Sequence, residues 1–419
     1  MDQRSQCGSK IMKILFLNNY NYIRGGSERV YFAEMDLMKE RGHEVIAFAR
    51  RHRRDFPSLY SEYFPPDMKT DEVSISWDAL KTVKEIIYST EARKSLGMLT
   101  RFVRPDIAHA HNIYGRLSTS VLDCLREEGI PIVMTLHDYK LACPTYNFTY
   151  HHAICEDCKS HRYYRAVLKK CHKGSYAASA VYVLESYFNR LFRKYENTID
   201  RFIAPSRFLK SKIIEYGWPV TKIAHVPNCI RSAEYQPEYE PGTYFLFLGR
   251  LSEEKGIRTL IRAFTSIENP NAGLVIAGDG PLKELLQNLA CSDSRIRFTG
   301  YLTGPVLRDI TRRALAVVLP SVCYENAPLS ILEASAYGKP VIGSAIGGIP
   351  EMIDDGRNGF LFTPGNEIHL AEKMKNLLSL TRESLIAMGK AAREKITNDF
   401  SADAHYQKLM SIYNSLLHQ

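Results

Sequence analysis

The sequence predicts an α/β protein of two βα lobes that face each other across a cleft, with a last helix returning to the first lobe. Three observations predict this. A unit of apolar strand, glycine-bearing turn and helix appears at Lys13 and starts afresh at Tyr244; such units build parallel sheets whose ligand edge lies at the strand C-terminal ends. Between the two runs, Ser232 to Gly242 (SAEYQPEYEPG) is acidic, Pro-rich and without apolar periodicity, and reads as a linker. At 419 residues and 45% hydrophobic composition the chain can fill two cores, and one domain of that size is unusual. The expected division is a lobe at 12–231, a linker at 232–242, a second lobe at 243–399 and the returning helix at 400–419.

The elements follow in order. Lys13 to Asn18 (KILFLN) is a strand leading to Gly25-Gly26-Ser27-Glu28, Val30 to Arg41 a helix ended by Gly42, and Val45 to Ala49 the next strand. Gly25-Gly26 sits at a ligand edge without making a G-x-G-x-x-G fingerprint. A loop-rich, aromatic stretch from Arg50 to Asp78 precedes a helical segment that ends at Arg104-Pro105. Asp106 to Ala110 is a strand ending at His111-Asn112, and Ile130 to Leu136 another ending at His137-Asp138, where an imidazole opens into the crevice. Arg201 to Ala204 and Lys222 to Val226 complete the first lobe, before Pro205-Ser206 and Pro227-Asn228. In the second lobe the strands are Tyr244 to Leu248, Leu274 to Ala277, Ile296 to Phe298, Ala314 to Leu319 and Val341-Ile342. Ser401 to Leu417 carries apolar and aromatic residues at helical spacing, as expected of a helix packing back onto the first lobe.

Charge and composition exclude several classes. No apolar run approaches the roughly 18 residues of a transmembrane helix. The first eleven residues, MDQRSQCGSKI, are polar and lack a long apolar core, so they read as a disordered extension rather than a signal peptide, and a cytoplasmic protein is expected. The net charge of +9 is unevenly spread: through Glu240, 36 Lys and Arg stand against 28 Asp and Glu, and beyond it 19 against 18. A basic first lobe suits an anionic partner such as an acidic membrane leaflet. No nucleic-acid motif accompanies the charge, so nucleic acid is not expected as a partner.

The most informative stretch is Ser321 to Glu351. A buried-strand run delivers the chain to Glu325, and Asn326-Ala327-Pro328 then opens a helix-period segment through Leu329 that carries Glu333. The first amides of such a helix lack intrahelical partners and attract phosphate oxygens. Glu325 and Glu333 lie about two turns apart at ~3.6 residues per turn, so the two carboxylates can reach different ends of one elongated ligand. Gly347-Gly348 follows the next strand and allows a close backbone approach. Arg250 and Lys255, in GRLSEEKG, bring two cations to another strand end, a pairing that suits a departing pyrophosphate. The chain has no Asp-x-Asp triplet of the kind that holds a Mg²⁺-bridged diphosphate, so no catalytic metal is expected.

From Met12 onward the sequence closely resembles the family 4 retaining glycosyltransferases of the two-lobed, Rossmann-like GT-B type. The resemblance rests on Gly25-Gly26-x-Glu28, DIAHAHN at Asp106 to Asn112, His137-Asp138, Pro205-Ser206, Pro227-Asn228, GRLSEEKG, GDGP at Gly278 to Pro281, and the Glu325-x7-Glu333 spacing. It implies that Arg250 and Lys255 grip the diphosphate of a UDP- or GDP-sugar. It also implies that Glu333 holds the ribose hydroxyls, that Glu325 lies by the donor sugar, and that amides around Ala327 to Leu329 meet sugar or phosphate. Gly25-Gly26 would let the first lobe approach the diphosphate, His137 would sit between donor sugar and acceptor, and the base would stack near Gly300. Retaining hydrolases use two carboxylates about 5 to 5.5 Å apart; no such pair is evident, so the expected route is front-face transfer. The family commonly has Pro-Asn-Gly where this chain has Pro227-Asn228-Cys229, which leaves the hinge-side geometry open. A sugar-nucleotide epimerase of the same fold and a non-catalytic sugar-nucleotide-binding subunit of an assembly complex are the alternatives.

An insert at 143–173, CPTYNFTYHHAICEDCKSHRYYRAVLKKC, holds Cys143, Cys155, Cys158 and Cys171. Four thiols including a Cys-x2-Cys pair are enough for a closed tetrahedral zinc site, with His151, His152, His161 and His172 as substitutes; reduced thiols in a loop are the alternative. Lys159, Arg162, Arg165, Lys169, Lys170 and Lys173, followed by aromatic and apolar residues from Tyr176 to Phe192, form a basic and aromatic surface. Such a surface could rest on an anionic membrane and serve a lipid-linked rather than a soluble glycan acceptor at the inner membrane face. An ordinary helix with its apolar face in the core is the alternative.

Overall fold

The computed structural model describes residues 11–68 and 77–418. The polar extension falls, apart from Ile11, outside the described residues, as does part of the loop-rich stretch after Arg50. The first sheet contains β1 (Lys13–Leu17), β2 (Glu44–Phe48), β3 (Ile107–Ala110) and β4 (Ile132–Thr135). A small antiparallel hairpin follows, β5 (Thr149–Tyr150) with β6 (Ala153–Ile154), and then β7 (Arg201–Ala204) and β8 (Ile223–His225) rejoin the sheet. The order β2-β1-β3-β4-β7-β8 is parallel throughout. Both faces are covered by helices, which is why β3 and β4 are buried at every position.

The second sheet has the order β11-β10-β9-β12-β13-β14, again all parallel. Its strands are β9 (Tyr244–Leu248), β10 (Gly273–Ala277), β11 (Ile296–Gly300), β12 (Ala316–Leu319), β13 (Val341–Ser344) and β14 (Gly359–Phe362). The two lobes are therefore Rossmann-like. The 232–242 segment holds only a short 3-10 turn at Ser232–Glu234 and is strapped to the second lobe. Arg393 donates to Ser232 O and Tyr235 O at 2.8 and 3.0 Å, and Lys339 Nζ to Glu240 O at 2.9 Å.

The last helix, Ala402–Leu417, crosses back and buries Tyr406, Leu409, Met410 and Tyr413 in the first lobe's core. Polar contacts fix its rotation. Tyr406 Oη lies 2.9 Å from His43 Nε2 and Tyr413 Oη 2.7 Å from His109 Nδ1, while His405 Nε2 stands 3.2 Å from Glu34 Oε1. The two passages between lobes run side by side: Ile230 N donates to Phe400 O at 2.9 Å, and Ile230 bridges in parallel to Ser401.

Candidate active site

β12 carries the chain to Ser321, whose Oγ donates to Glu325 Oε1 at 2.6 Å; Lys255 Nζ approaches the same oxygen at 2.6 Å. Lys255 reaches it because the 3-10 turn Glu253–Lys255 ends at Gly256 in a left-handed conformation, φ +67°. A Cβ on Gly256 would lie 1.9 Å from Pro320 O, so the turn packs directly on the end of β12. Burial opposes both charges, raising the carboxyl and lowering the amine. The ion pair outweighs it and leaves Glu325 below the usual carboxylate range and Lys255 above that of lysine. The pair therefore stays charged through neutral pH.

Arg250 follows β9 and is exposed; its carbonyl accepts from Ser252 N at 3.0 Å, while its side chain makes no hydrogen bond or ion pair among the described residues. It lies within electrostatic reach of Tyr146 on the opposite lobe. The GDGP turn supports it from below: Leu251 N donates to Asp279 O at 2.9 Å and Leu282 N to Leu251 O at 3.0 Å.

The helix Leu329–Ala336 starts after Pro328, and no side chain caps its first amides, so its N-terminus is an open anion seat beside Lys255 and Glu325. Gly26 lies over it, with Leu329 Cδ1 4.0 Å from where a Cβ would stand; Gly25 N donates to Glu28 Oε2 at 2.9 Å. Glu333, in the same helix, is held across the cleft by Arg29. Gly300 ends β11 with φ +74° and open space beside it, next to Tyr301, which is 77% exposed.

Asn326, expected among the donor-binding residues, has its side chain engaged between the lobes. Its amide donates to Leu136 O at 3.0 Å and accepts from Ser206 Oγ at 2.8 Å, so the side chain is spent on joining the lobes. Asn228 Nδ2 donates to Ala327 O at 3.1 Å, and Cys229, in place of the family's usual glycine, is absent from the positive-φ residues. A glycine backbone is not required there.

His137 follows Leu136 and so lies beside this seam. Its Nε2 is 2.8 Å from His111 Nδ1, with the rings stacked at 5.0 Å. Burial pushes it down to about 3, so it is a neutral imidazole at neutral pH. Behind it, Glu34, His109 and His111 form the one group of metal-type side chains among the described residues whose ligand atoms all lie within 4.8 Å. His109 has both nitrogens engaged, with Thr135 Oγ1 and Tyr413 Oη at 2.7 Å each. This group therefore works as a clamp for the returning helix.

Burial pushes the neighbouring Asp138 up to about 6. Its folded-state value lies above the unfolded ~3.9, so folding favours the protonated form. That advantage is present at low pH and is lost as pH rises through about 6. Asp138→Asn is expected to gain stability over the native chain at pH 8, by about 3 kcal/mol, and little at pH 4; urea denaturation at the two pH values measures the difference.

Three residues outside the expected set matter. Arg29 covers Glu333. Glu351 accepts from Arg207 N and Phe208 N at 2.8 Å each, capping a first-lobe helix from the second lobe. Glu156, inside the Cys-x2-Cys turn, accepts from Tyr324 Oη at 2.8 Å and lies 2.9 Å from Lys212 Nζ, tying the insert to the residue before Glu325. A cavity of about 600 Å³ opens on the hinge side between Ser206, Pro227, Glu351 and Lys395, away from Arg250 and Lys255.

Two parallel-sheet lobes joined in this way define a GT-B fold, and solved structures agree. HepE from Anabaena, in complex with UDP-glucose, matches over 96% of this chain and 100% of its own, with a TM-score of 0.66 at 18% identity. Two sequence profiles divide the chain between them: "Glycosyltransferase Family 4" matches residues 24–234 and "Glycosyl transferases group 1" residues 232–395. The chain belongs to glycosyltransferase family 4. It is 32% identical over 212 residues to the glycogen synthase of Mycobacterium tuberculosis, covering 48% of this chain and 50% of that one. It is 25% identical over 244 residues to the putative colanic acid biosynthesis glycosyltransferase WcaL of Escherichia coli, covering 55% and 59%. The chain thus spans about half the length of these curated relatives.

Proposed function

We propose that the protein is a retaining hexosyltransferase that moves a hexose from a UDP- or GDP-sugar to a sugar hydroxyl of a lipid-linked glycan in surface polysaccharide assembly. The observation that carries this reading is the convergence of Lys255, Glu325 and an uncapped helix N-terminus at one strand edge, with Arg250 free beside them. In front-face transfer the C1–O bond to the diphosphate breaks, and the acceptor oxygen bonds to C1 on the same face. The acceptor proton passes to the departing phosphate oxygen. Arg250 and Lys255 offset the charge that develops there; neutral His137, beside the seam, orients the acceptor. Glu333 exchanges Arg29 for the ribose hydroxyls, and the base lies by Gly300 and Tyr301. The UDP-glucose held by HepE and the polysaccharide named for WcaL support this choice of donor and pathway class.

No helix among the described residues is long and apolar enough to cross a membrane. A surface on the first lobe suits a peripheral position. Tyr176, Leu184, Tyr187 and Leu191 are exposed along one stripe of the helix Tyr176–Leu191, next to exposed Leu168 and Phe192. Lys170, Lys173, Arg190 and Arg193 accompany them in sequence, the composition of an anionic-membrane contact. The test is nucleotide release from a panel of UDP- and GDP-sugars, with and without lipid-linked acceptor, on vesicles with and without anionic lipid. One donor should give release that depends on acceptor and rises with anionic lipid. Epimerised donor without transfer, or binding without turnover, would overturn the reading.

A further inference from the structure

The insert that carries four cysteines is anchored to the lobe through Phe148 and Glu156 but has little regular structure of its own. Between residues 143 and 173 the regular structure amounts to the β5–β6 hairpin, a 3-10 turn at Lys159–His161 and the five-residue helix Tyr164–Leu168. Eight non-glycine residues here have positive φ, among them Tyr146, Phe148, His151, Ser160 and Lys170, against three in the rest of the described chain. Left-handed backbone in such density is unfavourable unless something external fixes it. The local apolar cluster is small: Tyr163, Ala166 and Val183 with Cys158, and Cys171 packed against them. Segments of this kind are usually stapled by a disulfide or a metal.

The four thiols are placed for the second. All are free, and they arrive from separate pieces of chain: Cys143 from the turn after β4, Cys155 from the exit of β6, Cys158 from the turn it shares with Cys155, and Cys171 from beyond the short helix. Cys158 lies within electrostatic reach of the other three, and Cys171 of Cys143 and Cys155. The nearby histidines are otherwise placed: His161 Nδ1 lies 3.2 Å from Tyr163 Oη, His172 stacks on Tyr182 at 4.1 Å, and His151 and His152 are exposed. No three of the sulfurs lie within 4.8 Å of one another, so closure around an ion needs movement. The thiols of Cys143 and Cys155 hold only weak hydrogen bonds, to Thr145 Oγ1 at 3.5 Å and from Lys169 Nζ at 3.4 Å, which a metal would replace.

We propose that Cys143, Cys155, Cys158 and Cys171 bind one structural zinc ion. Glu156 and Asp157 lie between the central ligands. The metal therefore fixes the turn from which Glu156 accepts the Tyr324 hydroxyl, and through it the position of the donor loop at Glu325. This is a different group from Glu34, His109 and His111, whose bonds clamp the returning helix.

The test is metal analysis of the purified full chain, joined to cobalt exchange. The expected result is about one zinc per chain, and a Co²⁺-exchanged protein with the intense near-ultraviolet band of thiolate ligands. Cys158→Ser should lower the zinc at least fivefold, and His161→Ala should retain it. If Cys158→Ser does not fold, the cobalt spectrum of the native chain decides alone. A chain without zinc that gives no thiolate band, or an intact mass showing a disulfide between these cysteines, overturns the proposal. Neither readout depends on glycosyl transfer, so failure here is separable from failure of the proposed activity.

Discussion

Lys255→Ala should lower the transfer rate about a hundredfold, the scale of removing one preorganised charge from a transition state. The lysine stands 2.6 Å from Glu325 and beside an open helix N-terminus, so it can serve a departing diphosphate without first being moved. Its removal also leaves the Glu325 carboxylate without its cation, and that lowers stability by about 1–3 kcal/mol. Urea denaturation measures this part separately. The double variant Lys255→Ala with Glu325→Gln tells the two effects apart. Compared with Glu325→Gln alone, the double variant has the same rate if the lysine only neutralises Glu325, and a much lower one, with stability restored, if it grips the leaving group. Near-normal kinetics in Lys255→Ala would sink the assignment.

Gly348→Ala should be nearly as damaging although residue 348 touches no reacting atom. A Cβ there would lie 1.8 Å from Asn326 O and 2.9 Å from Ser206 Cβ, one contact on each side of the seam between lobes. Neither atom is the far end of a flexible side chain. The Glu325–Asn326 backbone, which receives Gly348 N at 2.7 Å, must move by about an ångström to make room. Displacements of that size at reacting groups cost on the order of 10²-fold. The expected outcome is a loss of kcat with the fold retained, read by steady-state kinetics beside circular dichroism. Unchanged kcat would show that the Glu325 loop is not set from behind.

The elements were legible where the local pattern is strong. KILFL at Lys13–Leu17 and YFLFL at Tyr244–Leu248 are apolar on both faces, as central parallel strands must be. The two-residue strands of the hairpin were not legible, because Thr149–Tyr150 and Ala153–Ile154 are too short to show a period. β14 escaped for a related reason: GFLF is a four-residue run at the sheet edge.

In the cleft, residues tied to a chain-local motif could be named in advance, since Arg250, Lys255, Glu325 and Glu333 each follow a strand or ride the helix after one. Their partners could not. Arg29 meets Glu333 from 304 positions away, and Glu351 caps a helix 144 positions earlier. Nothing in the sequence around either residue records such a pairing. Asn326 shows the converse. It opens the donor-side helix in the sequence, and the structure adds what the sequence does not record: its side chain reaches Leu136 and Ser206 because the lobes meet there.

The paired crossings at Ile230 and Ser401 restrict how the cleft can open. Two strands of backbone, bonded to each other where they pass between the lobes, act like the two pins of a door. The lobes can swing about the line joining them, while twisting of one lobe against the other would shear the bond from Ile230 to Phe400. Any opening of the cleft must carry this paired crossing with it, since Ile230 holds the two passages together at Phe400 and Ser401.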